Sequence, residues 1–102
     1  MLYLKENANV YRVTNDDILY LQQNGRHISI VTSDREYTLR KHKIRDVEKM
    51  LGERFFKCHS YLIVNKDKIK EVCKNEVLFD SGHSIGMCYA AALRLRKSLL
   101  NI

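Results

Sequence analysis

The run Phe55-Phe56-Lys57-Cys58-His59-Ser60-Tyr61-Leu62-Ile63-Val64-Asn65 constrains the fold most, because it joins an aromatic anchor, a polar segment and a β-prone core run. Tyr61 to Val64 is an unbroken series of aromatic, aliphatic and β-branched residues, the pattern of a central strand with little exposed surface. Phe55 and Phe56 close a helical pattern on its other side. Between them Lys57, Cys58, His59 and Ser60 put a cation, a thiol, an imidazole and a hydroxyl on a short turn held by two apolar flanks. Binding residues are commonly carried in this way, on a loop positioned by a rigid scaffold.

The rest of the chain reads as short strands. Leu2 to Leu4 and Val10 to Val13 are followed by Thr14-Asn15-Asp16-Asp17, whose side chains suit a turn. Asp16 and Asp17 could be read as a catalytic carboxylate pair, but neighbours on an extended chain point to opposite faces and a turn explains them more simply. Ile18 to Gln22 and His27 to Thr32 flank Gln23-Asn24-Gly25-Arg26, where Asn24-Gly25 signals a hairpin. After Ser33-Asp34 a third strand spans Arg35 to Leu39. The period then changes: Ile44, Val47, Met50 and Leu51 share one face of a helix of about two turns that ends at Gly52. Strands follow at Tyr61 to Asn65, Ile69 to Cys73, Glu76 to Phe79 and Ser84 to Met87. Ala90 to Leu100 is the last helix, with Leu95 and Leu99 facing inward and Arg94, Arg96 and Lys97 outward.

A chain of 102 residues, 45% hydrophobic, fits one domain with one core over residues 1–102. No apolar run approaches the roughly 20 residues needed to span a bilayer, and no leader pattern opens the chain, so a cytoplasmic protein without membrane contact is expected. Eighteen Lys and Arg against twelve Asp and Glu give a formal charge of +6 and a pI near 9.3, which favours an anionic partner. The cations gather in Arg35 to Lys49, in Arg54 to Lys74, and near the C-terminus, where Arg94, Arg96 and Lys97 stand without an acid.

Catalytic and metal chemistry find little support. Cys58, Cys73 and Cys88 and the four histidines His27, His42, His59 and His83 lack the close pair spacings of structural zinc sites. Neither a disulfide framework nor a bound cofactor is expected. Cys58 beside His59 has the residue types of an activated nucleophile, yet adjacent side chains rarely face each other. No Gly-rich phosphate loop and no Gly-x-Ser-x-Gly is present.

The central run, FFKCHSYLIVNKDKI, resembles the LytTR-type DNA-binding domain of bacterial response regulators. The core pattern of that family is Phe-x-(Arg/Lys)-x-His-(Arg/Asn)-Ser-(Tyr/Phe)-hydrophobic-Val-Asn followed by an isoleucine, here Ile69. Phe55-Phe56, Cys58 before His59, and Cys88-Tyr89-Ala90 before a basic helix are similar to its accessory gene regulator branch. With Asp16-Asp17-Ile18-Leu19-Tyr20 the resemblance runs through nearly the whole chain. One departure is that Ser60 follows His59 directly, where relatives carry Arg or Asn, and Tyr61 takes the family's Ser position.

The resemblance implies a mainly β fold, elongated, of short antiparallel strands with one short mid-chain helix and a C-terminal helix. It implies a non-enzymatic transcription regulator that binds double-stranded DNA, inserts loops into successive major grooves at direct-repeat half-sites, and does so as two copies. The DNA-binding residues it indicates are Arg26 or His27 on the first loop, then Lys57, His59 and Ser60, then the start of the last helix. There, counting from Ala91 reaches Leu93 and counting from Ala92 reaches Arg94; Arg94 is favoured because only it can make a bidentate contact with guanine. Lys57, Arg96 and Lys97 would set register on phosphates. Relatives carry a receiver domain, which these 102 residues do not include. Cys58 and Cys88 are the candidate redox-sensitive thiols, each beside basic residues on an element boundary, with Cys73 packed and inert. The rival reading is a small basic ribonuclease using His27 and His59 as acid and base and Lys57 on the phosphate, and a third is a protein-interaction module.

Overall fold

The computed structural model describes residues 2–100. In chain order these form β1 (Leu2–Glu6), β2 (Asn9–Val13), β3 (Ile18–Asn24), β4 (His27–Thr32), β5 (Glu36–Arg40), α1 (Ile44–Glu48), β6 (Phe55–His59), β7 (Leu62–Asn65), β8 (Ile69–Val72), β9 (Glu76–Phe79), β10 (Ser84–Gly86) and α2 (Tyr89–Leu100). Short 3-10 turns occupy Asn15–Asp17 and Lys66–Lys68. The expected mainly β architecture is observed, with ten antiparallel strands and two helices among the described residues, and the molecule is elongated at 44 × 24 × 21 Å.

A five-stranded sheet in the order β5-β4-β3-β7-β6 forms the middle layer. Its inner strands are apolar on both faces because both faces are covered. On one face Leu21, Ile28, Ile30 and Ile63 pack against Leu2, Leu4 and Val13 of the β1–β2 hairpin and Ile44 and Val47 of α1. On the other, Leu62 and Val64 meet Val77 and Phe79 of the β8–β9–β10 sheet and Ala91, Ala92 and Leu95 of α2. Side-chain alternation along β7 thus feeds two separate cores, and each fully buried aliphatic side chain contributes about 1.5–3 kcal/mol. Asn65 ends β7 with no exposure. Its amide donates to the Ile18 carbonyl at 2.9 Å and its Oδ1 accepts from the Asp67 N–H at 3.0 Å, tying β7 to the start of β3 and capping the following turn.

Five local expectations are corrected. Phe55 and Phe56 do not end a helix: α1 stops at Glu48, and the two rings lie on opposite faces of β6, one against each core. Consequently Lys57 to His59 are strand residues, and the turn is Ser60-Tyr61. Tyr61 is 61% exposed at the tip instead of buried in the strand. Met50, expected on the core face, is 60% exposed beyond the end of α1, and Leu99 is 39% exposed because the buried stripe of α2 ends at Leu95.

Candidate nucleic-acid interface

Two hairpin tips meet at one end of the five-stranded sheet. β3 and β4 are joined by Gly25-Arg26 between the paired residues Asn24 and His27, and Gly25 takes the left-handed φ of +64° that this tight loop requires. β6 and β7 are joined by Ser60-Tyr61 between His59 and Leu62. Because β3 and β7 are neighbours, with Gln22 opposite Leu62, the tips stand side by side, about 10 Å apart by two strand spacings. The Gln23 N–H donates to the Tyr61 carbonyl at 2.8 Å and locks one tip to the other.

A third segment joins them. Arg40 lies opposite His27 at the end of β5, and the chain then turns through Lys41, whose φ is +65° and whose N–H donates to the Arg26 carbonyl at 3.3 Å. The basic run Arg40-Lys41-His42-Lys43 is thereby folded against the first tip. The Gln23 side chain braces the corner: its amide donates to the carbonyls of Gly25 (3.0 Å) and His27 (3.3 Å), while its Oε1 accepts from the Ile44 N–H at 2.9 Å. A concavity of about 410 Å³ opens between the tips and the start of α1, lined by Gly25, Lys43, Arg45, Lys57, Ser60 and Tyr61 among others. A second, of about 510 Å³, lies alongside it between Arg26 and the Arg40–Lys43 run.

The charges differ sharply between the two ends. Among the described residues Arg26, Arg40, Lys41, Lys43 and Arg45 have no carboxylate within ion-pair distance, and Lys57 approaches Glu48 only at 3.8 Å. At the opposite end Asp16, Asp17 and Asp80 surround a polar hollow with Lys68. There Asp16, Asp17 and the neighbouring Asp67 are engaged: Arg54 pairs with Asp16 and, at 3.8 Å, with Asp67, and Asp17 accepts from the Thr14 hydroxyl at 2.7 Å. Unpaired cations gathered at one end create a positive field without the cost of separating existing pairs.

Within β6 the register shifts between Lys57 and His59, so Cys58 is the extra residue of a bulge. Its thiol turns into the core with no exposure, donating weakly to the Phe56 carbonyl at 3.9 Å, and burial pushes its pKa up to about 12 against a smaller opposing pull from Arg94. The expectation that Cys58 is a sensitive thiol is therefore corrected: it is a buried, protonated side chain, while Cys88 is exposed. Cys73 is half-buried, and burial followed by the Glu71 carboxylate raises its pKa. The Cys58 carbonyl accepts from Arg94 Nη2 at 2.5 Å, which anchors the middle of α2 to the bulge.

His59 follows directly. Its Nδ1 accepts from the Tyr61 N–H at 3.2 Å, so a neutral ring carries its proton on Nε2. Partial burial, then the Arg94 charge, lowers its pKa below the usual imidazole value, favouring that neutral donor form.

Of the residues expected to bind DNA, the fold brings Arg26, His27, Lys57, His59, Ser60 and Arg94 to this one end. Arg94 is exposed and Leu93 half-buried. Arg96 is engaged within the fold: its Nη1 donates to the Cys73 carbonyl at 3.0 Å and its guanidinium lies 5.4 Å from the Tyr89 ring centroid. Lys97 is exposed on α2. Sequence reasoning missed Arg40, Lys41, His42, Lys43 and Arg45 as site residues. Their signal was present in the four consecutive basic residues of Arg40 to Lys43, but their proximity to the tip depends on the pairing of β5 with β4. No cluster of three or more His, Cys, Asp or Glu able to hold a metal occurs among the described residues.

This arrangement, an elongated β domain with loop tips and cations collected at one end, is that of a nucleic-acid-binding module. The chain belongs to the LytTR DNA-binding domain family, whose model matches residues 8–99. Its fold is similar to the LytTr DNA-binding domain assigned to a methyl-accepting/DNA response regulator from Bacillus cereus, with a TM-score of 0.80 at 20% identity over 99% of this chain and 96% of that one. No curated protein sequence matches significantly. No helix among the described residues is long and apolar enough to cross a membrane.

Proposed function

We propose that this domain binds duplex DNA sequence-specifically through the basic end of its five-stranded sheet and acts as a cytoplasmic transcription regulator in a two-component system. The observation that carries the reading is the collection of unpaired cations, Arg26, Arg40, Lys41, Lys43 and Arg45, around two interlocked hairpin tips, within a DNA-binding family. Lys57 and Lys97 contact phosphates and set affinity. Arg26 or His27, His59 and Arg94 face base edges. The Nε2–H of His59 suits the N7 or O6 acceptor of guanine, and the free N–H groups of Arg94 suit the same base. Ser60 bonds to either a base or a phosphate and reads sequence weakly, which sets this chain apart from relatives that carry Arg or Asn there.

The residues Phe55-Phe56, Cys58-His59 and Cys88-Tyr89-Ala90 favour the accessory gene regulator branch. Two copies on direct-repeat half-sites, with Arg26 and Arg94 at opposite sides of the surface reaching successive major grooves, complete the reading. The ribonuclease alternative meets a geometric obstacle. His27 on β4 and His59 on β6 are three strand spacings apart, about 14 Å, too far to serve one phosphate together.

Fluorescence anisotropy with labelled duplex DNA and, separately, labelled single-stranded RNA tests the function. The duplex should bind with a log-log salt slope of roughly −3.6, as expected for about four neutralised phosphates. Affinity that does not change with salt, or cleavage of the RNA, would overturn the proposal.

A further inference from the structure

The concavity between the hairpin tips and α1 is built from segments remote in sequence, and its cations come from both walls. Lys57 and Ser60 stand on the wall formed by β6 and the β6–β7 tip. Lys43 and Arg45 stand on the other, where α1 lies over one face of the sheet. The corner is fixed by the Gln23 hydrogen bonds to Ile44 and to the tip backbone, so the spacing of the walls is a property of the fold. Lys43 and Arg45 have no carboxylate partner among the described residues, and the 3.8 Å approach of Glu48 to Lys57 is an exposed pair worth little and easily exchanged. A loop tip that enters a groove leaves the phosphate ridge of that groove along its flank. The flank here is the open side of this concavity.

We propose that this concavity is a phosphate clamp for the DNA backbone, in which Lys43 and Arg45 on one side and Lys57 on the other grip a phosphate beside the groove entered by the tips. The inference rests on the duplex-binding reading and adds to it a contact made by the residue before α1 and the first turn of that helix. Arg45 supplies a planar fork suited to phosphate oxygens, and Lys43 and Lys57 supply point charges. The clamp recognises the backbone and carries no base preference, so it sets where the tips sit and leaves discrimination to them.

The test measures duplex binding against salt for the whole chain and for K43Q, R45Q and the double variant, with K68A at the opposite end as a charge-changed control. All three positions are at least partly exposed, and a thermal melt confirms that each variant folds. Each clamp variant should weaken specific and random duplexes by the same factor, and loss of the clamp should make the salt slope shallower by about 1. A scan with duplexes carrying one methylphosphonate at a time should find a position that weakens wild-type binding severalfold and does not weaken the double variant further. If wild type binds with the expected salt slope but the variants keep that slope, or if K68A weakens binding as much as K43Q, the clamp is wrong and duplex binding stands. If wild type shows no salt-dependent duplex binding at all, the functional reading fails and the clamp fails with it.

Discussion

The two ends of the five-stranded sheet are built from the same strands and solve opposite problems. At the end holding Asp16, Asp67 and Asp80, polar groups are matched to one another: Arg54 bridges Asp16 and Asp67, Lys66 donates to Ser98 at 3.2 Å, and buried Asn65 joins β7, β3 and the Lys66–Lys68 turn. At the end holding Arg26, Lys43 and Arg45, the backbone is matched instead, through Gln23, Tyr61 and Arg94, and these three cations are left without acids, while Lys57 stands 3.8 Å from Glu48. One end spends its polar groups on the fold. The other holds its backbone rigid so that its charges are free for a partner.

The largest expected effect concerns Cys58, which belongs to the basic end by sequence but to the core by its thiol. A pKa of about 12 leaves roughly a thousandfold less thiolate than an ordinary cysteine has at neutral pH, and burial blocks reagents as well. Brief alkylation of native protein followed by mass spectrometry should label exposed Cys88 and leave Cys58 untouched until the protein is unfolded. Rapid labelling of Cys58 would show that the β6 bulge opens.

Next is Asn65 at the acidic end. Asn65→Ala leaves the Ile18 carbonyl and the Asp67 N–H without their partner, costing about 3 kcal/mol. The melting temperature should fall by more than about 10 °C, while the folded fraction keeps its DNA affinity. A loss of affinity at a temperature where the variant is fully folded would break the division between the ends.

Arg94 sharpens the comparison because it bonds to the Cys58 carbonyl and is also a proposed base-reading residue. Arg94→Ala should lose about 1–3 kcal/mol of discrimination at one base pair, whereas Lys57→Ala should weaken all duplexes alike. Arg94→Lys keeps a donor for the Cys58 carbonyl but lacks the planar fork, so it should melt like wild type and still lose discrimination. Equal losses of both variants on specific and random DNA would remove Arg94 from the reading surface.

Much of this was legible in the sequence. Alternation, the Asn24-Gly25 hairpin and the turn residues located nearly every strand, and the FFKCHSYLIVN run pointed to the candidate site, because these signals are local. What escaped was decided by tertiary covering. Phe55-Phe56 fits a helix or a strand equally in sequence and became strand because two cores, one on each face of the sheet, each required a ring. Cys58 reads as a loop thiol until the bulge in β6 turns it inward. The placement of Arg40 to Arg45 beside the first tip depends on strand pairing that no local pattern reveals.

The smallest expected effect is a pH dependence at His59. Its folded-state pKa lies below the unfolded value near 6.5, so the unfolded chain takes up the proton first as the solution is acidified. The stability His59 contributes is fully present above about pH 6.5 and is lost as pH falls through the folded-state value. Melting temperatures should decline on acidification in wild type and decline less in His59→Gln; identical profiles would mean that the ring is not held as described.

The contrast between the ends is tested most directly by recording backbone amide NMR spectra of the isotope-labelled domain while titrating in a duplex bearing its preferred site. The shifts that move should be those of Gly25 to His27, Lys41 to Arg45, Lys57 to Tyr61 and the amides around Arg94, with Asp16, Asp17, Lys68 and Asp80 unchanged. Perturbations centred on Asp16, Asp17, Lys68 and Asp80, with the hairpin tips silent, would contradict the account.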